Sequence, residues 1–347
     1  MAGEVVVVGA GMITAVGLSA PETAASVRSG TARFEETSML DKRFEPFVLA
    51  QVPEDGLPDL AEGLEKEGLT AREARMIRLA TVALTECLKA LPASQPPPVL
   101  SVALPESETT RPLDPAKFLG QLGRQMSSRF DAQRSDASHR GRAGGLAAIA
   151  QASEAIRRGA ATFVLAGGVD TYRDLYVLGT LDMTRRVKSA ANLDGFIPGE
   201  GAGFLLLADG AAAGAAWARL SPVARTEEPG HMYSEQPYKG DGLALAFQQL
   251  LQSGTVPGPV QEVYSSMNGE NHWAKEWGVA HIRSHAGFAP AHGMHHPADC
   301  YGDTGAACGP LMVGLAALGI KEGYRKSPTL VYASSDRGGR AALAVLS

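Results

Sequence analysis

The sequence predicts a layered α/β protein built from two similar halves, and three features predict it. A β-branched run, Val5 to Val8, ends at Gly9, the pattern of a strand buried on both faces. In the first half a glycine- and alanine-rich helical stretch, from about Arg142 to Arg158, stops at Gly159 and leads into ATFVLAGG, Ala160 to Gly168. In the second half the order returns: GDTGAACGPLMVGLAALGIKEG, Gly302 to Gly323, then TLVYASS, Thr329 to Ser335. Each copy is a glycine turn, a small-residue helix with a basic end, a glycine stop and a buried strand. Small residues let a helix approach its neighbours closely, so both helices are expected at the centre of the fold. The duplication divides the chain into halves 1–207 and 217–347, with the joint near ADGAAAGAA, Ala208 to Ala216.

The remaining elements follow in chain order. GAGMITAVG, Gly9 to Gly17, invites a dinucleotide-loop reading, but Thr14 stands where the third glycine belongs, so a structural turn is the reading adopted. Ser19, with Glu22 three residues on and Pro21 between, marks a helix start. Residues 70–90 carry apolar residues at helical spacing, with Cys87 on the buried side as core filler. Val99 to Pro105 reads as a strand, and the polar stretch from there to about Ser138 as surface loop and helix.

Composition narrows the function classes. The 347 residues are 45% hydrophobic and 20% charged, with 40 glycines and a net charge of −5. Charges of both signs are spread along the chain, so neither a nucleic-acid stripe nor a polybasic membrane patch is expected. The first residues lack a basic region before their short apolar run, and no stretch reaches the roughly 18 apolar residues of a membrane span. Three cysteines, Cys87, Cys300 and Cys308, suit a reducing compartment. A cytoplasmic protein is expected.

Four stretches, in order, resemble the β-ketoacyl synthases of the thiolase superfamily: VVVVGAGMITAVG; GGLAAIAQASEAIRRGAATFVLAGGVD, Gly144 to Asp170; LDGFIPGEGAGFLLL, Leu193 to Leu207; and GDTGAACG, Gly302 to Gly309. The resemblance implies the thiolase-like fold, two pseudo-repeated halves forming a five-layered α-β-α-β-α core, usually in a dimer. It also implies a chemistry. A cysteine thiolate at a helix start takes an acyl chain as a thioester, two histidines, or in relatives one histidine with an asparagine or cysteine, assist decarboxylation of a malonyl thioester, and backbone N–H groups hold the oxyanion. No cofactor is implied.

Carried onto this chain, neither the cysteine nor either histidine is present. Counting back from Gly159 without a gap, the nucleophile position holds Arg142, which cannot be acylated. An insertion of four residues would instead put Ser138 there; the gap-free count is preferred. The first histidine falls on Asn268, the second on Asp303, and the lysine five residues before it on Ala298. The glycine-rich C-terminal loop keeps Gly338 and Gly339, while its apolar gate becomes Asp336, Arg337 and Arg340. Charges facing an acyl tunnel would be costly unless they pair, and Arg142 with Asp303 is the pair expected.

Other candidates are weaker. Cys308 and Cys300 are alternative nucleophiles, with Cys308 read first as a buried small residue and Cys300 as a loop cysteine. Ser138 beside His139 reads as solvated loop. Six of the eight histidines lie between His272 and His296. His292, His295 and His296 with Cys300 match no regular zinc spacing, so no metal is expected and the histidines are assigned to a surface loop. Asp194 and Glu200 are read as structural groups around a tight turn.

Together these readings point to a degenerate ketosynthase-like protein acting as partner, scaffold or adaptor. It would resemble either chain-length-factor subunits or accessory proteins encoded with secretion effectors. It would be a homodimer, or a heterodimer with a ketosynthase-type or effector protein, and an acyl carrier protein is a further candidate partner. The alternative is an acyltransferase with a rearranged site.

Overall fold

A computed structural model describes residues 3–106 and 113–347 of the protein. The chain opens with β1 (Val5–Thr14), which runs straight through the stretch expected to turn; the turn comes at Thr14 to Gly17. The glycines there serve packing. A Cβ on Gly11 would lie 1.8 Å from the Ala83 carbonyl oxygen, so only a bare backbone lets a helix lie against this strand. After β1 come α1 (Ala20–Ser29), the hairpin β2 (Glu35–Leu40) and β3 (Pro46–Leu49), and α2 (Ala71–Cys87). Ser19 caps α1, and Thr70 with Glu73 forms a reciprocal capping box on α2.

Next are β4 (Val99–Leu104), α3 (Pro115–Gln125), β5 (Asp136–His139), α4 (Gly141–Arg157), β6 (Phe163–Thr171), α5 (Leu175–Met183) and β7 (Glu200–Asp209). The polar stretch before Ser138 thus holds α3, which buries Phe118, Leu119 and Leu122, and strand β5 rather than loop; residues 107–112 of that stretch lie outside the described residues. The second part contains β8 (Ala218–Leu220), β9 (Ala224–Glu227), α6 (Asp241–Gln252), β10 (Val260–Ser265), α7 (Asn271–Ser284), β11 (Phe288–His295), α8 (Ala298–Tyr301), α9 (Cys308–Lys321), β12 (Thr329–Ser334) and β13 (Gly339–Leu346).

Among the described residues eleven strands form one sheet, in the order β11-β10-β12-β13-β8-β1-β7-β6-β4-β5, with β9 paired to β13. The pairing repeats. β4 runs parallel to β5 and β6 while β7 closes antiparallel on β6; β10 runs parallel to β11 and β12 while β13 closes antiparallel on β12.

Side-chain alternation sets the layers. Val5 and Val7 of β1, Leu205 and Leu207 of β7, Val331 and Ala333 of β12, and Leu343 and Val345 of β13 all face one shared core built on α4 and α9. Val6, Leu206 and Leu165 face a second core under α2 and α3, while Leu330, Tyr332, Ala342 and Ala344 face a third under α6 and α7. The result is the α-β-α-β-α stack of the thiolase-like fold with α4 and α9 at its centre. These two helices cross closely: a Cβ on Gly145 would lie 2.2 Å from Pro310 Cδ. A fourth, smaller core joins β2, β3 and α5 through Phe47, Leu49, Val177, Leu178, Leu181 and Phe196. Among the described residues no helix is long and apolar enough to cross a membrane.

Candidate functional site

The start of α4 is where a side chain from the first half meets the second. Gly141 (φ +58) turns the chain into the helix. Ser335, in the turn between β12 and β13, caps the helix from across the molecule: its Oγ accepts from Ala143 N (2.9 Å) and donates to the Arg140 carbonyl (2.6 Å). Arg142 therefore emerges at a fixed position, pointing at the other half. A cation in a first helical turn opposes the helix dipole, so this position requires anions nearby.

The anions are present, and they form a ring. Arg142 Nε donates to Asp303 Oδ2 (2.7 Å), and Arg142 Nη1 donates to Asp336 Oδ1 (2.5 Å). Asp336 in turn takes Arg186 Nη1 on its other oxygen. Arg186 holds Glu270 in a two-point grip, Nε to Oε1 (2.8 Å) and Nη2 to Oε2 (2.7 Å). Glu270 Oε2 accepts from Asn268 Nδ2 (3.0 Å), and Asn268 Nδ2 reaches Asp303 Oδ2 (2.7 Å), which closes the circuit. All six residues are less than a tenth exposed.

Each member is further fixed. Asp303 Oδ1 accepts from Gly305 N (2.8 Å) at the turn into α9. Trp273 Nε1 donates to Glu270 Oε2 (3.0 Å), and the Arg142 guanidinium lies over the Trp273 ring (5.4 Å) and near that of Phe196 (5.7 Å). A second buried pair, Arg340 with Glu276 (2.7 Å), flanks the ring, its guanidinium 5.6 Å from the same Trp273 ring.

Protonation follows from this pairing. Burial pulls the Arg142 and Arg186 guanidiniums toward neutrality, but their carboxylate partners more than reverse it, so both stay charged. Burial pushes Asp336 up, and Arg142 and Arg186 overcome it and hold the carboxyl well below the usual carboxylate range. Little room remains: the space bordered by Arg142, Asp336, Tyr172 and Gly305 is about 20 Å3, the size of one water.

The structure thus brings Arg142, Asn268 and Asp303 together, with Asp336, and places the other candidates elsewhere. Ser138 lies on strand β5, and His139 is tied through both ring nitrogens to the carbonyls of Pro105 (2.9 Å) and Leu113 (2.8 Å), so neither is solvated loop. Cys300 sits not in a loop but in α8, buried, where desolvation and Asp299 push its thiol up. Cys308 begins α9 and is buried; desolvation pushes its thiol far up, and its Sγ lies 3.7 Å from the Arg142 carbonyl oxygen. A thiol in that state is a poor nucleophile. Ala298 opens α8.

Glu200 is buried, but not around a tight turn: it pairs with Arg75 (2.5 Å) and accepts from Thr171 and Val52. Asp194 accepts from Asn271 N (2.8 Å) at the start of α7. The expected histidine loop is instead strand and helix. His292 and His295 belong to β11, His281 to α7, and His281 packs against Trp277, Phe288 and His292. Among the described residues no three His, Cys, Asp or Glu side chains are grouped to hold a metal ion.

Sequence reasoning missed Arg186, Glu270 and Trp273. Glu270 had a signal, since it lies two residues past Asn268 in the same loop. Arg186, in a run of basic residues before the Asp194–Gly195–Phe196 segment, had none.

Residues 141–213 match the family model of the β-ketoacyl synthase N-terminal domain. No curated protein matches the chain. Among solved structures, the ishigamide ketosynthase/chain length factor superposes with a TM-score of 0.79 at 16% identity over 100% of both chains. The ketosynthase ApeO in complex with its chain length factor ApeC, from Xenorhabdus doucetiae, matches at 0.77 and 14% identity over 99% of this chain and 98% of that one. The oxazolomycin ketosynthase domain OzmH KS7 of Streptomyces albus JA3453 matches at 0.78 and 15% identity, over 99% and 74%.

Proposed function

From the premise that the chain is a β-ketoacyl-synthase-like protein of the thiolase-like fold, we propose that it carries out no condensation and serves as the non-condensing partner of a ketosynthase-type protein. The observation that carries this reading is the closed ring of Arg142, Asp303, Asn268, Glu270, Arg186 and Asp336. It fills the positions where the family places its nucleophile, both histidines and its gate. A guanidinium accepts no acyl group, and an amide in a histidine position supplies no proton shuttle. The space left beside Arg142 is too small for an acyl chain.

Pairing with a ketosynthase is supported by the complexes that share the fold, in which ketosynthases stand with chain length factors. A third, AntDE:AntF, joins a ketosynthase to its acyl carrier protein, which makes a carrier protein the next candidate partner. Strand β5 ends the sheet, and its outer edge meets no strand among the described residues, so it offers backbone groups to a second chain. A homodimer uses the same edge.

Two measurements test the reading. Purified protein is incubated with malonyl and longer acyl thioesters of coenzyme A and carrier protein, and its intact mass is recorded. The expected result is no adduct; stoichiometric acylation at any residue overturns the proposal. Affinity purification from the native host is expected to return a ketosynthase-type protein at equal stoichiometry. Recovery of the chain with itself alone, or with an unrelated effector, assigns it to the adaptor form instead.

A further inference from the structure

A second small space lies beside the ring, between the end of β10, α8 and the turn into α9. It measures about 10 Å3, and Ser265, Ser266, Tyr301, Asp303 and Thr304 are among the residues that border it. Two hydroxyl groups on its walls, Tyr301 Oη and Thr304 Oγ1, are buried and find no hydrogen-bond partner among the described residues. Tyr301 is 2% exposed and Thr304 0%, so bulk solvent reaches neither. In sequence they stand on either side of Asp303, the partner of Arg142 in the ring. A buried hydroxyl without a hydrogen bond loses its hydration uncompensated, and native structures satisfy nearly all such groups through protein or a trapped water.

We propose that this space binds one water molecule, held by Tyr301 Oη and Thr304 Oγ1, and that through it the two hydroxyls position Asp303 in the ring. Tyr301 and Thr304 are thus positioning residues, and the water ties together the two ends of the turn that carries Asp303.

Size and charge select the occupant. A space of about 10 Å3 is close to the least that admits a water, so a larger ligand does not fit. The carboxylate on its wall, Asp303, is already matched by Arg142. A metal ion would add an unbalanced positive charge beside that guanidinium, and an anion would face the carboxylate. A neutral molecule that both donates and accepts meets neither penalty. Burial pushes the Tyr301 hydroxyl well above the usual phenol range, so it keeps its proton and can donate, while Thr304 can donate or accept. Ser265 Oγ is engaged with His296 Nδ1 (2.6 Å), whereas Ser266 Oγ accepts from Ser334 N (3.0 Å) and retains its own proton to give. The polar partners that a buried water needs are therefore at hand.

A high-resolution crystal structure of the full-length protein tests the site. One solvent peak is expected within hydrogen-bond distance of Tyr301 Oη and Thr304 Oγ1. The peak is expected to persist in Thr304→Ser and to vanish in the double variant Tyr301→Phe, Thr304→Val. A thallium(I) soak is expected to give no anomalous signal there. Absence of the peak in the wild type, or both hydroxyls bonded directly to protein, overturns the proposal; a thallium signal also overturns it and assigns the space to a monovalent cation. Thermal unfolding supplies an independent readout. Hydroxyls that share one water lose it together, so the drop in Tm of the double variant should be smaller than the sum of the two single drops, with Thr304→Ser close to wild type. Additive drops give each hydroxyl a separate partner and overturn the shared water. Hydrogen exchange over residues 300–305 reads the positioning role: it should quicken in the double variant and not in Thr304→Ser, and equal exchange in the double variant and the wild type removes that role. None of these readouts involves acylation or a partner protein, so the outcome is independent of the proposed function.

Discussion

Arg142 and Asp303 meet at 2.7 Å across the centre of the molecule, one from the first turn of α4 and the other from the turn into α9. The two helices are the central pair of the repeated topology, and Asp303 lies five residues ahead of α9. The salt bridge therefore ties the two pseudo-repeats together at the centre of the fold.

Breaking that link is expected to be costly. Arg142→Met strands Asp303 and leaves Asp336 with Arg186 alone, and loss of one partner from a buried pair costs about 3–5 kcal/mol. Thermal unfolding should show a large drop in Tm for the single variant. The triple variant Arg142→Met, Asp303→Asn, Asp336→Asn should recover most of it, because no unpaired charge remains. Equal losses in both would mean the ring contributes packing rather than charge pairing.

The acid limb of the stability curve has a defined sign. Asp336 is held below its unfolded value, so its contribution is complete above about pH 4 and is lost as pH falls toward its own low pKa. Glu106, just past the end of β4 and raised by burial and by Asp336, acts oppositely: its contribution is present at low pH and fades as pH rises through about 7. Tm against pH should therefore fall more steeply below pH 4 in the wild type than in Asp336→Asn, and should lose its neutral-range decline in Glu106→Gln.

A cysteine placed at position 142 is not expected to be reactive. In Arg142→Cys the new thiol sits beside Asp303, which has lost its cation, and Asp336, which keeps Arg186, and nearby carboxylates disfavour a thiolate. Iodoacetamide at pH 8 should modify it at least about tenfold more slowly than free cysteine, and malonyl thioesters should leave no adduct. Rapid alkylation at neutral pH would show that the turn still activates a thiol without its histidines.

Glycine positions separate packing from backbone conformation. Gly145→Ala drives a methyl into Pro310 and should cost at least about 1–3 kcal/mol, the cost of overpacking. Gly159→Ala, at φ +70 with open space around it, should cost only about 1 kcal/mol. Urea denaturation of the two variants gives the comparison directly.

Much of the centre was legible because it rests on local patterns. The small-residue helices, their glycine stops and the following strands read correctly, and gap-free spacing from Gly159 to Arg142 led to the pair with Asp303. The extension of β1 through Gly9 and Gly11 was not legible, since those glycines answer to α2, some seventy residues away. Arg186 was invisible for the same reason: its partners Asp336 and Glu270 are brought to it by the second half of the fold. The histidines misread as loop lie on β11 and α7, where aromatic packing against Trp277 and Phe288 overrides a weak local strand signal.

The ring also bears on how this chain can change over generations. Its six members come from five separate segments, and its five charged groups are paired with one another. Replacing one of the charged members with a neutral residue leaves its ring partners short of counter-charge in a buried site, so that single step passes through a less stable protein. The network acts as a ratchet: it makes any single-step change of its charged members unfavourable.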